Sequence, residues 1–159
     1  MGAYKPASAD AIRERSPKWP IDRVILHTMQ GTLSGTVAWF QTPNRPVPTA
    51  AHYCIGDDGT IVQMVPDDKK ALHAGSHTQP GWNDRSLGVE HAGWVDDGKP
   101  PSDAMLAASA RVVAVLCRKY GIPVDRQHII GHSEVPGATH TDPGKEWPWD
   151  RYMELVKAS

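Results

Sequence analysis

Eight histidines stand in a chain of 159 residues whose formal net charge is -1, and two of them sit where chemistry is easiest to build. His27 follows the run Arg23-Val24-Ile25-Leu26, and His132 follows Ile129-Ile130-Gly131. Both runs are short and apolar in the manner of a buried strand. Strand ends at one edge of a sheet bring side chains from distant parts of a sequence together, which makes the two imidazoles candidates for one site. Neutral imidazole is the commonest metal ligand, and a catalytic metal site takes three N, O or S donors while keeping one position for water. Asp142, in the turn Thr141-Asp142-Pro143-Gly144, is the best third donor, because proline and glycine fix the backbone that carries it. Asp-Pro-Gly is also an ordinary turn, so the residues alone leave that assignment open.

Other chemistries fit less well. Gly131-His132-Ser133 is not a nucleophile elbow, since Val135 takes the place of the last glycine. No HExxH, Walker loop or dinucleotide fingerprint occurs. Glu90 and Asp142 offer the two carboxylates of a glycosidase, but that reading leaves the strand-end histidines unexplained. Asp57-Asp58 reads as turn chemistry, because no further acidic residues follow at calcium-loop spacing. Cys54 and Cys117 are far apart, each in an apolar segment, and read as reduced core residues.

The elements that must position these residues are legible in outline. Residues 51–55 and 60–65 flank Gly56-Asp57-Asp58-Gly59 and predict a hairpin. Leu87-Gly88-Val89-Glu90-His91 predicts a further strand, entered from a polar, flexible stretch, Gly75 to Arg85. Alternation turns His91 to the face opposite Glu90, where its role is structural. Ser34 or Thr36 is expected to cap a short helix through Val37, Trp39 and Phe40. The longest helix starts at Ser102, carries the apolar stripe Met105, Ala108, Val112 and Leu116, and ends at Gly121 and Pro123. A last helix covers Trp149 to Lys157, with Trp147 and Trp149 as its anchors. Strands alternating with helices predict an α/β fold, a single domain with a mixed central sheet flanked by helices.

Composition narrows the partners. With 40% hydrophobic and 22% charged residues, the chain can build one core, and it carries no basic excess for nucleic acid. Residues 1–20 are the loosest part; they lack the apolar core of a secretory signal, and no stretch approaches a membrane span. The expectation is a protein that is cytoplasmic on synthesis, without membrane insertion and acting as a monomer.

Five segments in order resemble one family: VILHT at 24–28, AHYCIGDDGTIVQMV at 51–65, ALHAG at 71–75, SLGVEHAG at 86–93 and IIGHSEVPGATHTDPGKEWPW at 129–149. They look like the zinc-dependent N-acetylmuramoyl-L-alanine amidases, which include phage lysins, cytosolic muropeptide-recycling enzymes and animal peptidoglycan recognition proteins. The resemblance implies a catalytic domain over residues 21–159, with Zn2+ held by His27, His132 and Asp142, the last at a position where other members use cysteine. It implies Glu90 as the acid-base residue and His140, where many members have lysine, as the oxyanion donor. It places His73 and Thr28 near the substrate, a muramyl-peptide of peptidoglycan. The segments EHAGW and ATHTDPG favour a phage lysin that reaches the wall after release, with a recycling amidase or a non-catalytic binding module as alternatives. His52 is as suited to the core as to the cleft, and His77 and His128 carry no assignment.

Overall fold

The apolar runs that end at His27 and His132 are strands, and they lie side by side in parallel. The computed structural model that shows this describes residues 2–75 and 80–159. In chain order it contains strands β1 (Ala3–Tyr4), β2 (Ile12–Glu14) and β3 (Arg23–Thr28), helix α1 (Leu33–Gln41), and strands β4 (Tyr53–Ile55), β5 (Ile61–Gln63) and β6 (Lys69–Ala71). Helix α2 (Trp82–Arg85), strand β7 (Ser86–His91), helix α3 (Asp103–Tyr120), strand β8 (Ile129–Gly131) and helix α4 (Trp149–Ala158) follow. The main sheet runs β1-β5-β4-β7-β3-β8, and β2 pairs with β6 in a separate ribbon. The sheet is mixed: β3 is parallel to β7 and β8, β4 is parallel to β7, and β5 returns antiparallel to β4 through the predicted hairpin.

Period-two alternation sorts the central strands into two faces. Val24 and Leu26 join Leu87 and Val89 in a core closed by α3 and α4, whereas Ile25 packs on the other side with Ala74, Ile130 and Val135. Helix α3 forms as its sequence suggests: Ser102 Oγ accepts a hydrogen bond from the Met105 amide at 3.1 Å, and Gly121 ends the helix at φ 66°. Each fully buried Leu or Met on its inner face contributes ~1.5–3 kcal/mol. Trp147 is buried and packs edge-on against Tyr152 of α4, 5.1 Å between ring centres. Both cysteines are free and buried.

Three expectations change. Helix α1 is capped by Thr32, whose Oγ1 accepts from the Gly35 amide at 3.2 Å, rather than by Ser34 or Thr36. Gly31, directly before this cap, pairs with Gly93. The segment before residue 20 is not loose: β1 adds to β5, β2 pairs with β6, and Ala7 and Ala11 are buried. These strands are two and three residues long and mostly exposed, too short to leave a periodic signal. Arg15 fastens this segment, donating to the carbonyls of Asp67 and Ser86 at 3.1 Å, of Asn83 at 3.2 Å, and of Asp84. The stretch from Gly75 to Arg85 ends in helix α2; His77 and the rest of 76–79 lie outside the described residues. Among the described residues no helix is long and apolar enough to cross a membrane.

Two histidines are structural. His91 donates from Nδ1 to the His27 carbonyl at 2.8 Å, and its Nε2 meets Ser109 Oγ of α3 at 2.7 Å. His52 accepts the Gly88 amide on Nδ1 at 3.0 Å and reaches the Lys69 carbonyl from Nε2 at 3.0 Å. Burial pushes His91 down to about 4, and burial with the neighbouring Arg15 guanidinium pushes His52 down to about 3.

Two tests follow from this packing. Arg15→Met strips four carbonyls of their donor and is expected to lower unfolding stability by roughly 3 kcal/mol in urea titrations. In the unfolded chain both histidines titrate near ~6.5, so below that pH the unfolded state binds protons that the folded state refuses. Stability is therefore complete above ~6.5 and is lost as pH falls toward the folded values, by on the order of 2 kcal/mol per histidine on reaching about pH 5. Urea unfolding in chelator measures the loss, and the ring resonances of His52 and His91 should stay those of neutral imidazole at about pH 5.5.

Candidate metal centre

The parallel register builds the site. His27 lies opposite Glu90 across β3 and β7, and Leu26 lies opposite Gly131, so His132 emerges beside His27. Gly131 is required at this crossing, because a Cβ there would stand 2.6 Å from Pro143 Cδ in the turn that carries Asp142. The Ser133 amide donates to the Asp142 carbonyl at 3.0 Å and holds that turn against the strand end.

The three residues singled out as ligands come together. One donor atom from each of His27, His132 and Asp142 lies within 4.8 Å of the others, and all three residues are buried. His27 Nδ1 is 3.1 Å from Asp142 Oδ2, and His132 Nδ1 is 3.1 Å from Asp142 Oδ1. Despite that distance, Asp142 Oδ1 has no hydrogen-bond partner among the described residues. His132 Nε2 faces the Ala74 carbonyl at 3.2 Å, which can only accept. That contact puts the His132 proton on Nε2 and leaves Nδ1 as a bare lone pair aimed at a carboxylate. Burial works to raise the Asp142 carboxyl, but the contacts with His132 and His27 outweigh it and hold it well below the ordinary carboxylate range. Burial pulls His27 downward, against the opposing contact with Asp142. An ionised carboxylate facing imidazole lone pairs with one oxygen unpartnered is a donor set that fits a divalent transition-metal ion.

The other predicted residues surround this cluster. Glu90 opens onto the same cleft, and its Oε2 is buried with no hydrogen-bond partner among the described residues. Burial, reinforced by the Asp142 carboxylate, pushes Glu90 up to about 8. His140 stacks on His132 at 4.6 Å between ring centres, with its side chain 64% exposed and its Nδ1 3.9 Å from Asp142 Oδ1. Thr28 is committed to the turn: its amide donates to Asp142 Oδ2 at 3.4 Å and its hydroxyl to the Pro143 carbonyl at 3.3 Å. His73 is buried, and its Nδ1 is 2.9 Å from His27 Nε2. Of the two residues expected at the substrate, both border the cleft, and both also hold the ligand residues in place.

The cleft encloses about 1280 Å³, and Trp39 and Trp94 stand on its walls with 57% and 52% of their surface exposed. Neither tryptophan was assigned to the cleft from the sequence, where Trp39 reads only as part of the short helix. Large exposed indoles beside a polar floor suit ring-on-ring contact with a sugar or an apolar peptide side chain.

Comparison with known proteins identifies the family. The pattern of N-acetylmuramoyl-L-alanine amidases matches residues 17–145. The chain belongs to this family. N-acetylmuramoyl-L-alanine amidase A of Achromobacter lyticus is 36% identical over 96% of this chain and 92% of its own length. The 1,6-anhydro-N-acetylmuramyl-L-alanine amidase AmpD of Citrobacter freundii is 37% identical over 69% of this chain, and the chain spans 58% of that relative's length. A crystal structure of an AmpD derivative superposes with a TM-score of 0.77 at 26% identity, covering 98% of this amidase and 94% of that chain.

The donor set predicts one divalent ion per chain by metal analysis of the purified amidase. His27→Ala and His132→Ala should each abolish it while leaving the protein folded by circular dichroism. Protons compete for the two Nδ1 lone pairs, so the ion should be released as pH falls.

Proposed function

We propose that this amidase is a zinc enzyme that hydrolyses the amide joining N-acetylmuramic acid to the first L-alanine of peptidoglycan. The observation that carries the reading is the buried set His27, His132 and Asp142 at the floor of the cleft, with Asp142 Oδ1 unpartnered and Glu90 beside it. Two imidazoles and a carboxylate are the protein ligands of a catalytic zinc site that keeps a position for water. Zinc, when bound, lowers the pKa of a water from ~15.7 to about 7 and polarises the amide carbonyl.

The chain's own groups do the remaining work. Glu90 takes a proton from the attacking water through its unpartnered carboxylate and delivers it to the alanine nitrogen as the C–N bond breaks. The water oxygen ends in the new carboxylate of the muramic acid and the proton in the new amine. With no hydrogen-bond partner on Oε2 among the described residues, that oxygen is free to accept the proton and to hand it on. His140, exposed at the rim and stacked on His132, donates a hydrogen bond to the amide oxygen as charge develops there. Trp39 and Trp94 hold the muramyl-peptide across the cleft.

The setting is proposed as a phage lysin on the EHAGW and ATHTDPG segments. The AmpD relatives favour a second reading, action on soluble 1,6-anhydro-muropeptides. Rates on intact sacculi against rates on soluble anhydro-muropeptides separate the two.

Purified cell walls incubated with the protein should yield new N-terminal alanine, with release stopped by chelator and restored by zinc. Binding to walls without release in any metal would mark a non-catalytic module instead. Glu90→Gln is expected to lower kcat by ~10²- to 10⁴-fold with the ion still bound. His140→Ala is expected to lower kcat by ~10²- to 10³-fold with the ion still bound; an unchanged kcat would remove His140 from the mechanism.

A further inference from the structure

The proton on each ligand imidazole is set from the far side of the cluster by one short piece of chain, His73-Ala74. Ala74 supplies the carbonyl that His132 Nε2 faces at 3.2 Å. His73 supplies Nδ1, 2.9 Å from His27 Nε2, and its own Nε2 lies 3.1 Å from Ser86 Oγ at the start of β7. The Ser86 hydroxyl in turn donates to the Trp82 carbonyl.

That terminal carbonyl gives the chain of contacts its direction. A carbonyl only accepts and a hydroxyl has one proton, so Ser86 spends its proton on Trp82 and must accept from His73 Nε2. His73 Nδ1 is then bare and accepts from His27 Nε2. His27 Nδ1 is left as a lone pair facing Asp142, the same state that Ala74 imposes on His132. Two imidazoles, one on β3 and one just past the end of β8, are thus put in one tautomer by adjacent residues.

The segment that does this is itself clamped. Asn83 Oδ1 accepts both the His73 amide at 2.9 Å and the Ala74 amide at 2.7 Å. Gly88 leaves room for the His73 ring: a Cβ there would lie 2.7 Å from His73 Cγ. His73 itself is buried.

We propose that His73, Ala74 and Asn83 form a single cradle that orients both metal-binding imidazoles, with His73 and Asn83 as positioning residues acting through His27 and His132. The proposal rests on the metal reading above and assigns His73 to the metal centre rather than to the substrate. Partners of this kind hold ligand rings in register and typically account for ~10- to 100-fold in metal affinity.

The test uses the full chain and measures zinc affinity by competition with a chromophoric chelator, alongside urea unfolding of the chelator-treated protein. His73→Leu removes the acceptor for His27, and is expected to weaken zinc binding ~10- to 100-fold. His73→Asn, which keeps an acceptor near the Nδ1 position, should stay within about threefold of wild type. Asn83 is only half-buried, so Asn83→Leu should fold; it is expected to weaken zinc about tenfold, while Asn83→Asp, which still accepts from both amides, recovers it. Leucine variants that lose unfolding stability but bind zinc like wild type would overturn the cradle and leave the zinc reading intact. A wild-type chain that takes up no zinc would overturn both.

Discussion

Two imidazole lone pairs pointed at one buried carboxylate are the constraint around which this fold is arranged. Left alone, such a set is poor physics: the carboxylate is desolvated, and the imidazole nitrogens turned toward it cannot both donate. A cation resolves it, because every donor atom then faces positive charge. The unpartnered Asp142 Oδ1 is the visible remainder of that arrangement, and so is the unpartnered Oε2 of Glu90 next to it. Protein interiors tolerate few unsatisfied polar atoms, and finding two on the floor of one cleft marks where the molecule gives up stability for chemistry.

The backbone brings these groups together by register rather than by loops. Parallel pairing sets His27 against Glu90, and the pairing of Leu26 with Gly131 ends β8 just where His132 must project. Alternation then separates two jobs within adjacent residues of β7: Glu90 opens onto the cleft, while His91 ties β3 to Ser109 on the other face. The same imidazole chemistry serves both sides. On the core face its hydrogen bonds knit strands to helix; on the cleft face they fix which nitrogen is left bare.

Much of this was legible in the sequence because it rests on strong local signals. The hairpin at Gly56 to Gly59, the capped helix from Ser102 to Gly121 and the apolar runs before His27 and His132 each carry a pattern within a few residues, and the structure contains them. Asp142 was half-legible: its turn was clear from proline and glycine, but its meeting with His27 depends on a contact 115 residues long. The N-terminal strands were not legible, since the two or three mostly exposed residues of Ala3–Tyr4 and Ile12–Glu14 bury almost nothing of their own. Arg15 adds to the strand pairing, and an arginine bonded to four carbonyls reads in a sequence like any surface charge. Asn83 was silent for the same reason: its side chain meets backbone amides, which every residue possesses, and Ser86 meets a carbonyl and the ring of His73 without any local pattern to announce it.

That silence says something about how the site is supported. The carbonyls that Arg15 gathers belong to Asn83, Asp84 and Ser86 as well as Asp67. The first three come from the same α2 to β7 corner whose side chains clamp His73 and Ala74. A cation from the N-terminal segment thus neutralises the partial charges of the corner from beneath, and the corner presents its amide and hydroxyl acceptors upward to the segment that orients the imidazoles. The edge strands are peripheral in the sheet order, yet through Arg15 they reach the foundation of the metal centre. Precision at the ligand nitrogens therefore depends on three successive layers of hydrogen bonds, from Arg15 to the corner, from the corner to residues 73 and 74, and from those to the ligand rings, in which the layer nearest the chemistry is the only one with a recognisable sequence signature.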